Sequence, residues 1–489
     1  MTGLYPHQAG VGAMTADRGD RFPGYRGRLN ERCVTLAEVL KSAGYATAMS
    51  GKWHVGDDVS PVDRGFDDFY GFTRGYGVDS FDPRMMVRLP EGRAHRQYPA
   101  GRFFATDAIA DHALDFLDAM RKRGQPWFLY VAFQTPHFPL QTLPEDAASY
   151  DDVYAAGWDK IREQRLMRQK TMGLMGNATA LTPRSRIPKP EIAKRMGSLT
   201  EDSRNPPWDT LGDERRADLA RRMAVFAGMV TGMDRNIGRI VASLREHDDI
   251  EDTLILFLSD NGACAEWEPF GFDLDRPVPG SPGTGINMGT QAAANVLHRG
   301  PTLKDVGGPD TFISYGSGWA NAGNAPFGLY KHYSHEGGIR TPFIAHWPQM
   351  IQDKGGLRHE PGHLIDIMPT LVDVAGAEYP IGRGILPMEG ISLVPVLQGR
   401  PSGRTGPLFF EHERSRAVRE GKWKLVSAAD GDWELYDMDA DPTEMHSLAA
   451  GMPERVAAMS SKWQAWAERA HVLPMIGERG RPAKGKRPK

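Results

Sequence analysis

Apolar positions along the chain recur in one repeated order: a helical stripe, a short apolar strand, then a polar loop. Thr35 precedes a helical pattern over 36–43 and is expected to cap it; a strand over 45–50 and the loop Gly51-Lys52-Trp53-His54 follow. Thr106 is expected to cap a second helix, in which Ile109, Ala113, Phe116, Leu117 and Met120 share a face. The apolar run 127–133 then reads as a buried strand ending in Thr135-Pro136-His137-Phe138-Pro139. In the third unit Leu219, Met223, Phe226, Val230, Met233, Ile237, Ile240 and Leu244 step by four and three, which predicts one stripe on a long helix. Leu254-Ile255-Leu256-Phe257-Leu258 follows as a strand and runs into Ser259-Asp260-Asn261-Gly262.

Strands apolar on both faces and alternating with helices predict an α/β fold, with a mostly parallel central sheet flanked by helices. Ligands of such sheets bind beyond the carboxyl ends of the strands, where these polar loops fall. Two stretches interrupt the order. Residues 138–215, with a basic segment over 162–170, read as an excursion over the sheet edge. Residues 264–328, rich in Gly, Pro and Asn, read as a long functional loop. Beyond about residue 400, short strands over 408–413, 415–419, 422–426 and 433–437 predict an antiparallel sheet, closed by a helix near 453–470. The chain is accordingly divided into a catalytic domain over 1–400 and a smaller α+β domain over 401–489 that ends in a basic tail.

Composition narrows the function. Charged residues make up 25% of the 489 and the formal net charge is -3, which gives no reason to expect nucleic acid or an anionic membrane as partner. The basic tail from Arg479 onward reads as a solvated terminus. No apolar run reaches the ~18 residues that a membrane span needs. Cys33 and Cys264 allow at most one bridge.

Several polar groups carry candidate chemistry. Asp260 and Asn261 offer a carboxylate and an amide carbonyl, hard oxygen donors suited to calcium or magnesium; the tripeptide with Gly262 equally suits an Asn-Gly turn with an Asp cap. Lys52 and His54 lie two apart and point the same way in an extended segment, so they can grip one anion. His137 sits between prolines. Lys331-His332-Tyr333-Ser334-His335-Glu336-Gly337-Gly338-Ile339-Arg340-Thr341-Pro342 joins basic groups, an acid and a Gly-Gly joint ahead of a strand over 343–347. On spacing alone it also suits a tight turn with surface charges.

Taken in order, Gly51-Lys52-Trp53-His54-Val55-Gly56, Pro136-His137-Phe138-Pro139, Ser259-Asp260-Asn261-Gly262 and Lys331 five before Glu336-Gly337-Gly338-Ile339-Arg340 resemble the motifs of sulfatases. So does Trp433-Glu434-Leu435-Tyr436-Asp437 with Asp441, Pro442 and Glu444. Gly316, Trp319, Asn321 and Pro326 ahead of Lys331 resemble the bacterial arylsulfatase branch. The resemblance implies an alkaline-phosphatase-like fold and hydrolysis of a sulfate ester, a small molecule or a sulfated glycan, by a metal-assisted formylglycine mechanism. It implies Asp260 and Asn261 as Ca2+ ligands, and Lys52, His54, His137 and Lys331 as the groups around the sulfate. His335 receives no role. By family habit the location is the periplasm or the outside of the cell.

The resemblance also marks a departure. Relatives continue from the nucleophile motif into Met-Thr-Gly and Tyr-Pro-His-Gln, as this chain opens with Met1-Thr2-Gly3-Leu4-Tyr5-Pro6-His7-Gln8. Formylglycine, made from Cys or Ser by a maturation enzyme, and the first acidic metal ligands are therefore expected upstream of Met1. Neither Cys33 nor Cys264 has the proline and arginine of the modification motif. Little or no turnover is expected of residues 1–489 as written, whether the start is mis-assigned or the chain is a true fragment. The alternatives are a non-catalytic remnant that binds sulfated ligands and a phosphoester or phosphonate hydrolase of the same superfold.

Overall fold

The computed structural model describes residues 1–476 except Tyr76, 188–203, 267–268, 275–295, Arg383 and Asp430. The basic tail lies outside the described residues. The first unit forms in the predicted order, but its strand runs on through Gly51 and Lys52, which were expected in the loop. Thr35 caps helix α1 (Leu36–Ser42) in a capping box: its hydroxyl accepts from Glu38 N–H at 3.1 Å, and Glu38 Oε2 accepts from Thr35 N–H at 2.6 Å. Strand β1 (Ala46–Lys52) follows.

β1 is central in a four-stranded sheet of order β3-β2-β1-β4, with β2 Asp68–Phe72, β3 Val87–Leu89 and β4 Trp127–Ala132. β2 and β4 run parallel to β1, and β3 pairs antiparallel at one edge. Alternation along β1 serves both faces. Ala46 and Ala48 pack on Phe116 and Leu117 of helix α2 (Ala105–Arg121), whereas Met49 packs with Ala37, Phe66 and Phe69. The small side chains let α2 come close enough for Ser50 Oγ to donate to Ile109 O at 2.7 Å.

The structure corrects several expectations. The residue that caps α2 is Phe104, not Thr106; Thr106 is buried and its hydroxyl meets that of Thr135 at 2.8 Å. The long helix spans Asp213–Glu246, but Val230 of the predicted stripe is exposed. The buried face instead includes the polar Arg222 and Asn236. Arg222 reaches Asp218 and Asp273, and Asn236 reaches Asp107, so the helix satisfies its buried polar groups in pairs that a hydrophobic stripe cannot reveal. The basic segment over 162–170 lies in the helix Gly157–Thr171, where Arg162 is buried and donates to Thr182 O at 2.6 Å.

Within 264–328, read as loop, the helix Gly316–Asn324 is almost wholly buried, with Trp319 donating to Leu219 O at 2.8 Å. Its glycines, serine and alanines carry no amphipathic signal, and Gly318 is needed because a Cβ there would lie 2.6 Å from the Trp158 ring.

β5 (Ile255–Leu258), expected in the parallel sheet, pairs antiparallel with β6 (Phe343–His346) in a separate two-stranded ladder. Burial differs from expectation as well: β5 is only half-buried along its length, and so is β4, expected as a buried strand, where Tyr130 is exposed.

The C-terminal antiparallel sheet has the order β10-β9-β8-β7, with β7 Leu408–His412, β8 Ser415–Glu420, β9 Trp423–Ser427 and β10 Glu434–Asp437. Helix Pro453–Arg469 closes it through Met459, Trp463 and Trp466, and Trp466 stacks on Phe409 with ring centroids 5.0 Å apart. The opening segment joins this sheet: Tyr5 lies in the same core, and His7 Nε2 meets Glu411 Oε2 at 2.7 Å.

Candidate active site

The loops that follow β1, β4 and β5, with the loop preceding β6, carry the predicted residues to one place. Gly51 makes the first approach possible: it lies at φ +121°, and a Cβ there would stand 2.0 Å from Ala132 O. The Asp260-Asn261-Gly262 loop and the Lys331 loop are dovetailed by their backbones. Gly262 N–H donates to Gly338 O at 2.9 Å, and Lys331 N–H donates to Ala263 O at 3.1 Å. A Cβ on Gly262 would come within 1.9 Å of Gly337 O, which explains why the facing turns of both loops are built from glycine.

Lys331 Nζ and His137 Nε2 meet at 3.2 Å. His137 Nδ1 lies 2.8 Å from the Phe138 carbonyl, which can only accept, so Nδ1 carries the proton and Nε2 accepts from the ammonium. Burial, then Lys331 and Lys52, push His137 down to about 3, so the ring is neutral at pH 7. His54 is brought to about 3 by burial, then Lys52 and Lys331. Lys52 falls to about 8 through burial and the Lys331 charge, with Asp260 and Cys264 pulling the other way. Burial opposes the charge on Lys331, but Cys264, Glu266, Asp260 and Glu413 raise it above the usual lysine range. Lys52, His54, His137, Lys331 and Asp260 therefore share one electrostatic environment. The reason expected for Lys52 and His54 acting together does not hold, because the strand ends at Lys52 and His54 is left-handed at φ +51°.

Asp260 and Asn261 fit the hard-cation role in their donor chemistry. Asn261 Nδ2 donates to Gly262 O at 3.0 Å, leaving the amide oxygen as the group available to a cation, beside a carboxylate that faces two lysines.

Other motif residues turn out to be structural. Lys424, fully buried, binds Glu336 Oε1 at 2.7 Å and Glu444 Oε1 at 2.6 Å, so it clamps the turn Glu336–Ile339 onto the C-terminal sheet. Burial works against the Glu336 charge, and Lys424 beside it brings its pKa below the usual value. Asp441 accepts from the backbone of Met445 and His446, both at 2.8 Å. His335 faces Glu434 at 3.5 Å. Sequence reasoning missed Glu266, His332, His412 and Glu413, which surround Lys331; only His332, next to it in the chain, offered a signal.

Residues 1–377 match the sulfatase family profile, and residues 326–465 match that of the N-sulphoglucosamine sulphohydrolase C-terminal region. The chain belongs to the sulfatase family. It is 31% identical over 494 residues to an uncharacterized sulfatase of Schizosaccharomyces pombe, covering 95% of this chain and 83% of that one. With the arylsulfatase of Klebsiella aerogenes it shares 30% over 423 residues, 83% of this chain and 82% of that one. An N-acetylglucosamine-6-O-sulfatase of Bacteroides thetaiotaomicron is 23% identical over 495 residues, 92% of this chain and 72% of that one. Among solved structures, Ps i-CgsB in complex with k-i-k-neocarrahexaose aligns with a TM-score of 0.59 at 20% identity, covering 97% of this chain and 86% of that one. The phosphonate monoester hydrolase of Agrobacterium radiobacter aligns with a TM-score of 0.51 at 17% identity, covering 96% and 88%. These two show the shared fold. Sulfatase membership implies a metal ion and a formylglycine.

The formylglycine finds no match in the two cysteines, both of which are free thiols. Cys33 donates to Asn30 O at 3.2 Å, and burial raises its pKa. Cys264 lies within electrostatic reach of Lys331, but burial and Glu266 hold it firmly protonated. No helix among the described residues is long and apolar enough to cross a membrane.

Proposed function

We propose that this sulfatase hydrolyses sulfuric esters of the aryl sulfate or sulfated-sugar kind, around Lys52, His54, His137 and Lys331. The observation that carries the reading is the meeting of Lys331 with His137, with Lys52, His54 and Asp260 within electrostatic reach of the same lysine. Two ammonium groups hold the sulfate oxygens as charge shifts in the transition state. The two imidazoles, neutral at pH 7, are suited to hold or move a proton at the bridging oxygen or its attacker. Asp260 and Asn261 would hold Ca2+, which when bound neutralises charge on the sulfate oxygens. Neither cysteine suits the nucleophile, since burial raises the pKa of both thiols.

Sulfated sugars as substrates are supported by the relative named for N-acetylglucosamine 6-O-sulfate chemistry. A periplasmic or secreted location and a maturation enzyme as partner accompany this reading. Sulfate release from an aryl sulfate tests it, using the protein isolated from its native cells or co-expressed with a formylglycine-generating enzyme. Release that disappears in Lys331→Ala supports the reading. Faster release of phosphate from the matching phosphate ester would replace it with the phosphohydrolase alternative.

A further inference from the structure

Beside Lys331, on the side of the C-terminal sheet, His332, His412 and Glu413 each offer one ligand atom, and the three atoms lie within 4.8 Å of one another. We propose that these three residues form a second cation site, for a zinc-class divalent ion, separate from the oxygen donors Asp260 and Asn261.

The donor set sets the class of ion. Two imidazoles with one carboxylate suit zinc and its first-row neighbours, and are poor ligands for calcium, which takes oxygen alone. His332 is already oriented as a ligand. Its Nε2 faces Glu266 Oε1 at 3.4 Å and its Nδ1 faces Glu413 Oε2 at 3.2 Å. A ring whose far nitrogen donates to a buried carboxylate is the arrangement in which metal-bound histidines are held. The 3.2 Å separation also suits two ligands of one ion, since bonds of ~2.0–2.1 Å place neighbouring corners of a tetrahedron about 3.3 Å apart. The His412 ring lies nearly parallel to that of His332, with centroids 5.4 Å apart.

Backbone strain falls on the same residues. His332 lies at φ +79°, and Glu413 and Arg414 lie at +47° and +74° in the two-residue turn between the paired His412 and Ser415. That turn geometry favours Asn-Gly or Asp-Gly, so Glu-Arg is held there at a cost. The proposed ion joins this turn to the chain immediately after Lys331, and so holds the C-terminal sheet against the Lys331 loop. Glu413 is 40% exposed in its side chain, which leaves a face for water as the fourth ligand.

The test is equilibrium dialysis and calorimetry of untagged protein with Zn2+ alone, repeated with Co2+ to read the visible bands of a tetrahedral ion. One equivalent of zinc is expected, not displaced by excess Ca2+, with a higher melting midpoint than the metal-free protein. Affinity should fall at least about tenfold in His412→Ala and in Glu413→Gln, as loss of a metal ligand does. Glu413→Gln keeps the size of a part-exposed turn residue, so it serves if His412→Ala fails to fold. Zinc binding unchanged by Glu413→Gln, displacement by calcium, or no saturable binding would overturn the site and leave His332 as a cation shared by Glu266 and Glu413. All these readouts are of metal binding, so their failure leaves the reading as a sulfatase standing.

Discussion

Lys331 Nζ and His137 Nε2 stand 3.2 Å apart, an ammonium donating to a neutral imidazole whose other nitrogen is committed to the Phe138 carbonyl. Two buried cations could not share that distance, so the pair works only with the histidine uncharged. His137→Ala removes both the acceptor that aims Lys331 and a group able to move a proton. In the activated protein, aryl sulfate turnover should fall by about 10²–10⁴-fold with a smaller change in KM, measured by steady-state sulfate release.

Sulfate binding should weaken with alkali. Burial and Lys331 lower Lys52 from 10.5 to about 8, and an anion prefers the protonated form. Affinity is therefore highest below pH 8 and falls as pH rises through it. Folding responds in the opposite sense, because the unfolded chain holds this proton more tightly and loses that advantage between pH 8 and 10.5. Calorimetric titration of sulfate on either side of pH 8 checks this. Lys52→Arg, charged throughout, should flatten the pH dependence.

The Lys424 clamp should be among the most sensitive structural points. Lys424→Met leaves Glu336 and Glu444 buried without their cation and should destabilise by about 3–5 kcal/mol. Adding Glu336→Gln and Glu444→Gln should recover part of that loss. Denaturant unfolding followed by tryptophan fluorescence measures both.

Acid should unfold the protein partly through His363. Burial lowers this histidine from 6.5 to about 4, Arg404 adding to that and Asp366 opposing it. Its contribution is present above pH 6.5 and is lost as pH falls toward 4, on the order of 3 kcal/mol at the acid end. Its Nδ1 accepts from Ile365 N–H at 3.2 Å as an N-cap. His363→Asn keeps a capping oxygen without the titration, so the melting midpoint should depend less on pH between 6.5 and 4.

What could be read in the sequence follows from range. Thr35 as a helix cap, a strand beginning near residue 45 and the glycine-rich turns around Asp260 and Glu336 depend on local chemistry and were visible, whereas the reciprocal Glu38 bond and the strand's extension through Lys52 were not. Nor were partner strands and buried polar pairs. β5 joins β6 across 84 residues or more of intervening chain, and Arg222 meets Asp273 from 51 positions away. The buried helix Gly316–Asn324 stayed hidden because small residues pack tightly without marking a face. Among candidate site residues, Lys52, His54, His137, Asp260, Asn261 and Lys331 were singled out through their order as motifs. Glu266, His412 and Glu413 lie in runs where an acid or histidine has no distinguishing neighbours, and only folding brings them beside Lys331.

The most direct measurement is calorimetric binding of an aryl sulfate to residues 1–489 with calcium present, since it requires no nucleophile. The structure predicts saturable binding that weakens at least about tenfold in Lys331→Ala and in Lys52→Ala, in line with loss of a charge-assisted contact. Equal binding by wild type and both variants would contradict the placement of the sulfate between these two lysines.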